Sequence, residues 1–198
     1  MIELWIPITI LAAFSQNLRS ALQKHLKSRL STAGATYVRF FYAVPFAFLY
    51  LFILNQFFYL PLPEPNANFI IFGIIGGGTQ IIATALLVYL FSFRNFAVGT
   101  AYSKTETAQT AVFGLIILGD PLTPGAIIGI MISLVGVMAI STARQENGLK
   151  NIIQSLSQKT ALIGLASGAM FGMSAISYRA ASLSLGGEGV VIQAAYTL

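Results

Sequence analysis

The chain has 198 residues, of which 56% are hydrophobic and 9% charged. Soluble domains carry about 25% charged residues, and the apolar residues here fall in long blocks, so the composition excludes an ordinary soluble domain. The absence of cysteine excludes a disulfide framework and a thiolate metal site. The net charge of +5 comes from basic residues flanking apolar blocks, which fits membrane topology and not a nucleic-acid partner. The single His25 stands in a basic loop without a second histidine or a carboxylate cluster, so it reads as a solvated loop residue.

The apolar blocks predict an all-α integral membrane bundle with six spans, at about Leu4–Gln23, Ala35–Phe58, Phe69–Phe93, Phe96–Leu118, Pro124–Thr142 and Ala161–Ser184. A seventh apolar stretch starts near Gly189 and runs to Leu198, about half of what a bilayer requires. The chain is therefore expected to be a fragment, or to carry an incomplete seventh helix. Closely spaced prolines in Pro61-Leu-Pro-Glu-Pro65 end the second span. Asp120-Pro-Leu-Thr-Pro-Gly125 separates the fourth and fifth spans, with Thr123 as N-cap and Pro124 as first helical residue. The polar stretch from Ala143 to Thr160 is the linker between two halves. Lys24, Lys27, Arg29, Arg94, Arg144, Lys150 and Lys159 all fall on one side of this arrangement, which places the N-terminus outside under the positive-inside rule.

Small residues recur at four-residue spacing in Gly164, Gly168 and Gly172, in Gly125 and Gly129, and in Gly73 and Gly77. In lipid this spacing lets helix backbones approach closely, and tight packing is the favoured reading. Gly76-Gly77-Gly78-Thr79-Gln80 offers a second possibility, a break in the third span beside a binding site.

The fourth span carries the chemistry. Ala101-Tyr-Ser-Lys-Thr-Glu-Thr-Ala-Gln-Thr110 places a lysine and a glutamate inside an otherwise apolar span. Ionisable groups at that depth are costly, and they face a polar interior or a water-filled cavity. On a continuous helix Tyr102, Glu106, Gln109, Thr110 and Phe113 share one face, while Lys104 lies about 200° from Glu106, so those two cannot pair within their helix. Partners must come from neighbouring spans: Gln16, Asn17 and Arg19 from the first, Arg39 and Tyr42 from the second, Thr79 and Gln80 from the third. An Arg39–Glu106 ion pair is a purely structural option. The functional option is that Glu106 or Lys104 binds substrate or carries a coupling proton. Arg19, near the expected interface, is weighted less because it can snorkel to water. Span two is strongly aromatic; most of these rings read as lipid contacts or interface anchors, with Tyr42, one turn from Arg39, the best placed to stack on a flat substrate.

The stretch from Glu106 through Leu118-Gly-Asp-Pro-Leu-Thr-Pro-Gly125 to Gly136-Val-Met138 resembles the end of the first repeat of the EamA-type drug/metabolite transporter superfamily. In that pattern a small-residue helix begins with Glu-Pro, ends in Leu-Gly-Glu, passes an x-Leu-Thr turn and enters a Gly-rich helix. Glu106 matches the glutamate and Asp120 the helix-ending acid, whereas Thr107 stands where the family has its proline. The resemblance implies two inverted five-helix repeats, ten spans in the full protein, and a cytoplasmic N-terminus, opposite to the charge bias. It divides the chain into a first repeat over residues 1–142, a linker over 143–160 and the start of a second repeat over 161–198. Span six echoes span one, Phe171-Gly-Met-Ser174 against Phe14-Ser-Gln-Asn17, and Gln193 and Tyr196 line up with Arg39 and Tyr42.

These readings converge on a secondary transporter, an exporter of small polar or amphipathic metabolites such as amino acids or drugs, working by alternating access in a cell inner membrane. Its cavity is expected to be lined by Glu106, Lys104, Arg39, Asn17, Gln80, Tyr102 and Tyr42. A cation there points to a substrate with a carboxylate or phosphate. The expected partners are the lipid bilayer and a small-molecule substrate; proton coupling and a homodimer are compatible with this reading, and no nucleic acid, metal or other cofactor is expected. Catalytic arrangements of an intramembrane enzyme (paired aspartates, Ser–His, Ser–Lys, His-Glu-x-x-His) do not occur; Ser103 and Lys104 are adjacent and so face apart. A non-transporting scaffold or a channel is the alternative.

Overall fold

A computed structural model describes residues 5–93, 96–143, 159–186 and 189–198. Their regular structure is helical: α1 (Trp5–Lys27), α2 (Thr32–Phe41), α3 (Val44–Phe57), α4 (Ala67–Leu90), α5 (Phe96–Ser103), α6 (Glu106–Phe113), a wide π turn (Gly114–Leu118), α7 (Pro124–Ala143), α8 (Lys159–Ser184) and α9 (Val190–Thr197). Three stretches among these residues are long and apolar enough to cross a membrane, Thr32–Phe57, Ala67–Leu90 and Lys159–Ser184, and Pro124–Val137 forms a shorter apolar helix. The protein is an all-α membrane bundle. Arg94, Arg144 and Lys150, which bear on the expected charge map, lie outside the described residues, as does most of the expected linker.

Local chemistry sets the helix ends. Ser31 accepts a hydrogen bond from Gly34 N (3.1 Å) and Asn66 one from Phe69 N (2.8 Å), so both cap helix N-termini. Thr123 caps α7 as its sequence predicts, its hydroxyl accepting from Ala126 N at 3.2 Å, with Pro124 as first helical residue. The second expected span is two helices. Pro45 lacks an N–H and its ring crowds the carbonyl four residues back, at Phe41, so α2 stops there and α3 restarts at Val44. Gly119, in the left-handed conformation (φ 69°), ends the π turn, and Asp120 N–H then closes onto Gly114 O at 3.2 Å.

The centre of the bundle is α8, packed along α4 on one side and along α5 and α6 on the other. Glycine makes this approach possible. A Cβ on Gly168 would stand 3.0 Å from Ser103 O, and one on Gly172 would stand 3.0 Å from Thr110 Oγ1. Two buried serines of α8 then bond across to α4: Ser167 Oγ donates to Ala83 O and Ser174 Oγ to Gly76 O, both at 2.9 Å. In lipid, where apolar burial gives little drive for helix association, close packing and such bonds carry the interface. A smaller cluster of Leu54, Ile192 and Ala195 joins α9 to α3.

Candidate functional site

The fourth expected span is interrupted in its middle. Ser103 Oγ donates to Thr100 O (2.8 Å) and Thr105 Oγ1 donates to Tyr102 O (2.7 Å), so hydroxyls compete for carbonyls that a continuing helix would use. Lys104 and Thr105 take turn geometry, their N–H groups reaching back to Ala101 O and Tyr102 O. The helix restarts at Glu106. The interruption is thus made at Ser103 and Thr105, with Thr107 standing where the resembled pattern has its proline. In contrast α4 runs unbroken through Gly76, Gly77 and Gly78, so the discontinuity anticipated as an option in the third span occurs in the fourth.

Glu106 becomes the first residue of α6, where the free amides of a helix start favour a carboxylate. It borders two cavities that share Gln16, Arg19 and Phe171 in their walls. One, of about 520 Å³, also meets Asn17, Lys24 and Lys104. The other, of about 590 Å³, also meets Gln80, Ser174 and Tyr178. A third, of about 640 Å³, shares Arg19, Gln80 and Tyr178 with the second and extends to Arg39, Arg179 and Gln193. Arg19 borders all three. A polar path therefore runs between α1, α4, α6 and α8, with Glu106 and Arg19 at its middle.

The electrostatics of this path are unbalanced. Glu106 feels Lys104, Arg19 and Arg39 as neighbouring charges, but it forms no ion pair with any of them; among the described residues the ion pair joins Arg179 to Asp120. Arg39 donates through Nη1 to the buried hydroxyl of Thr84 at 2.6 Å and lies 5.1 Å from the Phe40 ring and 5.9 Å from that of Phe171. Its anchors are thus a neutral hydroxyl and aromatic faces. Arg19 Nε is buried without a protein acceptor. Gly76 makes room for Tyr178, whose ring would stand 3.0 Å from a Cβ there.

Of the residues expected at the site, Glu106, Lys104, Asn17, Gln80 and Arg39 border these cavities. Tyr102 and Tyr42 do not. Tyr102 is 3% exposed and packs against Ala161 and Leu165, because the break turns α5 away from the face that Glu106 takes on α6. Tyr42 is 63% exposed, edge-on to Phe41 on the outer surface. Three residues gain importance over their sequence reading: Arg19, which reads there as a snorkelling residue, and Gln16 and Tyr178. For Gln16 and Arg19 the signal is their position beside Asn17 in an apolar span. Tyr178 carries none, since its placement depends on Gly76 of another helix.

The sequence matches the EamA-like transporter family over residues 3–142. The chain belongs to that family. This membership makes the chain a multi-pass membrane protein of a transporter family, embedded in a lipid bilayer and acting on small molecules. No curated protein and no solved structure matches the chain.

Proposed function

We propose that this EamA-family chain is a secondary transporter of small polar or amphipathic metabolites, amino acids or drugs among them, exporting them across a cell inner membrane by alternating access. The observation that carries this reading is the succession of three cavities sharing walls along α1, α4, α6 and α8, with the Glu106 carboxylate and the Arg19 guanidinium at its centre. Ionisable groups at membrane depth mark substrate or proton paths. The broken span beside them matches the use of discontinuous helices at transporter binding sites. Glu106 is the coupling group: a carboxylate bordering two cavities can take up a proton from one and release it to the other. Residues 1–142 form the first repeat, 143–160 the linker and 161–198 the start of the second.

The test is flux of a labelled amino-acid mixture in proteoliposomes with and without an imposed pH gradient, for the wild type and Glu106→Gln. Wild-type flux is expected to rise with the gradient, and the variant to retain exchange while losing that dependence. Gradient dependence unchanged in the variant removes Glu106 from coupling. Flux equal to that of empty liposomes for both proteins favours a scaffold.

A further inference from the structure

We infer that the cavity among α1, α2, α4, α8 and α9 is an anion seat, which holds the carboxylate or phosphate head of a net-anionic, partly apolar substrate between Arg19 and Arg39. The inference rests on the transporter reading in taking this cavity as part of the substrate path, and it narrows that reading to one charge class. Among the described residues the walls of this 640 Å³ space include no acidic side chain. Such a volume suits a ligand of drug size, for which sites run to about 300–1,000 Å³.

The argument is one of charge. Along the three cavities Arg19, Lys24, Arg39 and Lys104 share walls that hold a single carboxylate, Glu106, so positive charge is in excess by three. Arg179 is committed to Asp120 and is set aside. Arg19 and Arg39 act on each other as like charges, an arrangement that a low-dielectric interior penalises unless an anion lies between them. Arg39 bonds to a neutral hydroxyl, and Arg19 keeps a buried N–H without an acceptor. Planar guanidinium groups bind carboxylate and phosphate through paired N–H donors. A zwitterion brings as much positive charge as negative and leaves the excess in place, and a cation adds to it. The same walls carry the apolar side chains of Phe40, Leu183, Val190 and Ala194, which suit a hydrocarbon or aromatic body.

Equilibrium binding to the purified full chain in detergent tests this with probes that share a phenyl body: 3-phenylpropionate, phenyl phosphate, phenylalanine and phenethylamine. The two anions are expected to bind at least tenfold more tightly than phenylalanine or phenethylamine, and the stronger anion identifies the preferred head. Arg39→Gln and Arg19→Gln are each expected to weaken anion binding at least tenfold, and Arg39→Lys to weaken it less. Melting temperatures identify any variant that fails to fold, in which case Arg39→Lys and Arg19→Lys carry the comparison through the same loss of anion affinity. No anion binding, tighter binding of phenylalanine or the amine, or anion affinity unchanged in folded variants at both positions overturns the seat. Flux separates the two readings. Anions that bind but do not cross proteoliposomes keep the seat and remove the carrier, whereas amine flux without anion binding keeps the carrier and removes the seat.

Discussion

Gly164 and Gly99 meet backbone to backbone, such that a Cβ on Gly164 would stand 3.1 Å from Gly99 Cα and 2.9 Å from its carbonyl carbon. Those are backbone atoms of α5, which cannot rotate aside as a side chain would. Gly164→Ala therefore has to push α8 and α5 apart, and overpacking of this kind costs about 1–3 kcal/mol. Gly125, where an added methyl would meet nothing within 4 Å, is the matched control. Thermal unfolding in detergent is expected to show a lower melting temperature for Gly164→Ala and little change for Gly125→Ala. Equal melting of the two variants contradicts the close contact.

The serine bonds between α8 and α4 give a second stability prediction. Ser167 and Ser174 are fully buried and each donates to a carbonyl of the facing helix. Polar bonds between membrane helices are worth about 0.6 kcal/mol on average. Ser167→Ala and Ser174→Ala should each destabilise by roughly that amount. They lie two turns apart on α8 without a common acceptor, so the double variant should show the sum of the single effects. A double variant no less stable than the wild type shows that the contact is held by glycine packing alone.

How far the sequence can be read depends on what each feature draws on. The bundle, the Thr123–Pro124 start of α7 and the glycine face of α8 follow from local rules of burial, capping and spacing, and these are legible, whereas Gly73, Gly125 and Gly129, at the same spacing, meet no neighbour within 4 Å. The helical face containing Tyr102 and Glu106 is not, because it assumes an uninterrupted helix. Two hydroxyl-to-carbonyl bonds at Ser103 and Thr105 break that assumption, and serine or threonine makes such bonds inside unbroken helices as well. Arg19 escapes the sequence for a different reason. Whether a long cation snorkels or turns inward depends on what lies beside it, here Glu106 and Tyr178 from distant parts of the chain.

If Ser103 and Thr105 make the break, removing their hydroxyls should weaken it. The Ser103→Ala, Thr105→Val double variant returns the carbonyls of Thr100 and Tyr102 to the helix ladder and rotates Glu106 relative to Arg19. Proteoliposome flux is expected to fall at least tenfold while the melting temperature holds or rises, since a continuous helix regains backbone hydrogen bonds that the interruption gives up. Flux at the wild-type level in this variant shows that transport does not depend on the interruption.

The Arg179–Asp120 pair ties α8 to the loop that follows the π turn, with Arg179 Nη2 3.1 Å from Asp120 Oδ1. Both side chains are substantially exposed, at 53% and 33%. Exposed ion pairs contribute about 0–1 kcal/mol, so Asp120→Asn should shift stability by no more than about 1 kcal/mol, and less at high salt. Chemical denaturation at low and high salt measures both effects. A larger loss means that Asp120 does more than pair with Arg179.

The most direct examination of the polar path uses the absence of native cysteine, which makes any introduced thiol unique. Gln80 borders two of the cavities and Asn17 a third wall of the same path. Ser167 has no exposed surface, while Ile132 is exposed on the apolar outer face of α7, at 67%. A charged methanethiosulfonate reagent reacts with the thiolate, which forms only where water reaches the sulfur. Asn17→Cys and Gln80→Cys should therefore be modified in proteoliposomes, and Ser167→Cys and Ile132→Cys should not, the first for burial and the second because lipid covers it. Saturating 3-phenylpropionate should protect Gln80→Cys, which shares the arginine-lined cavity, more than Asn17→Cys, which borders the space on the far side of Glu106. Modification of Ile132→Cys at the same rate as Gln80→Cys would place α7 in water and remove the distinction between a hydrated interior and a lipid-facing exterior. Failure of both cavity cysteines to react would mean that water does not enter the path, leaving Glu106 and its surrounding cations in a dry core where no polar solute could follow.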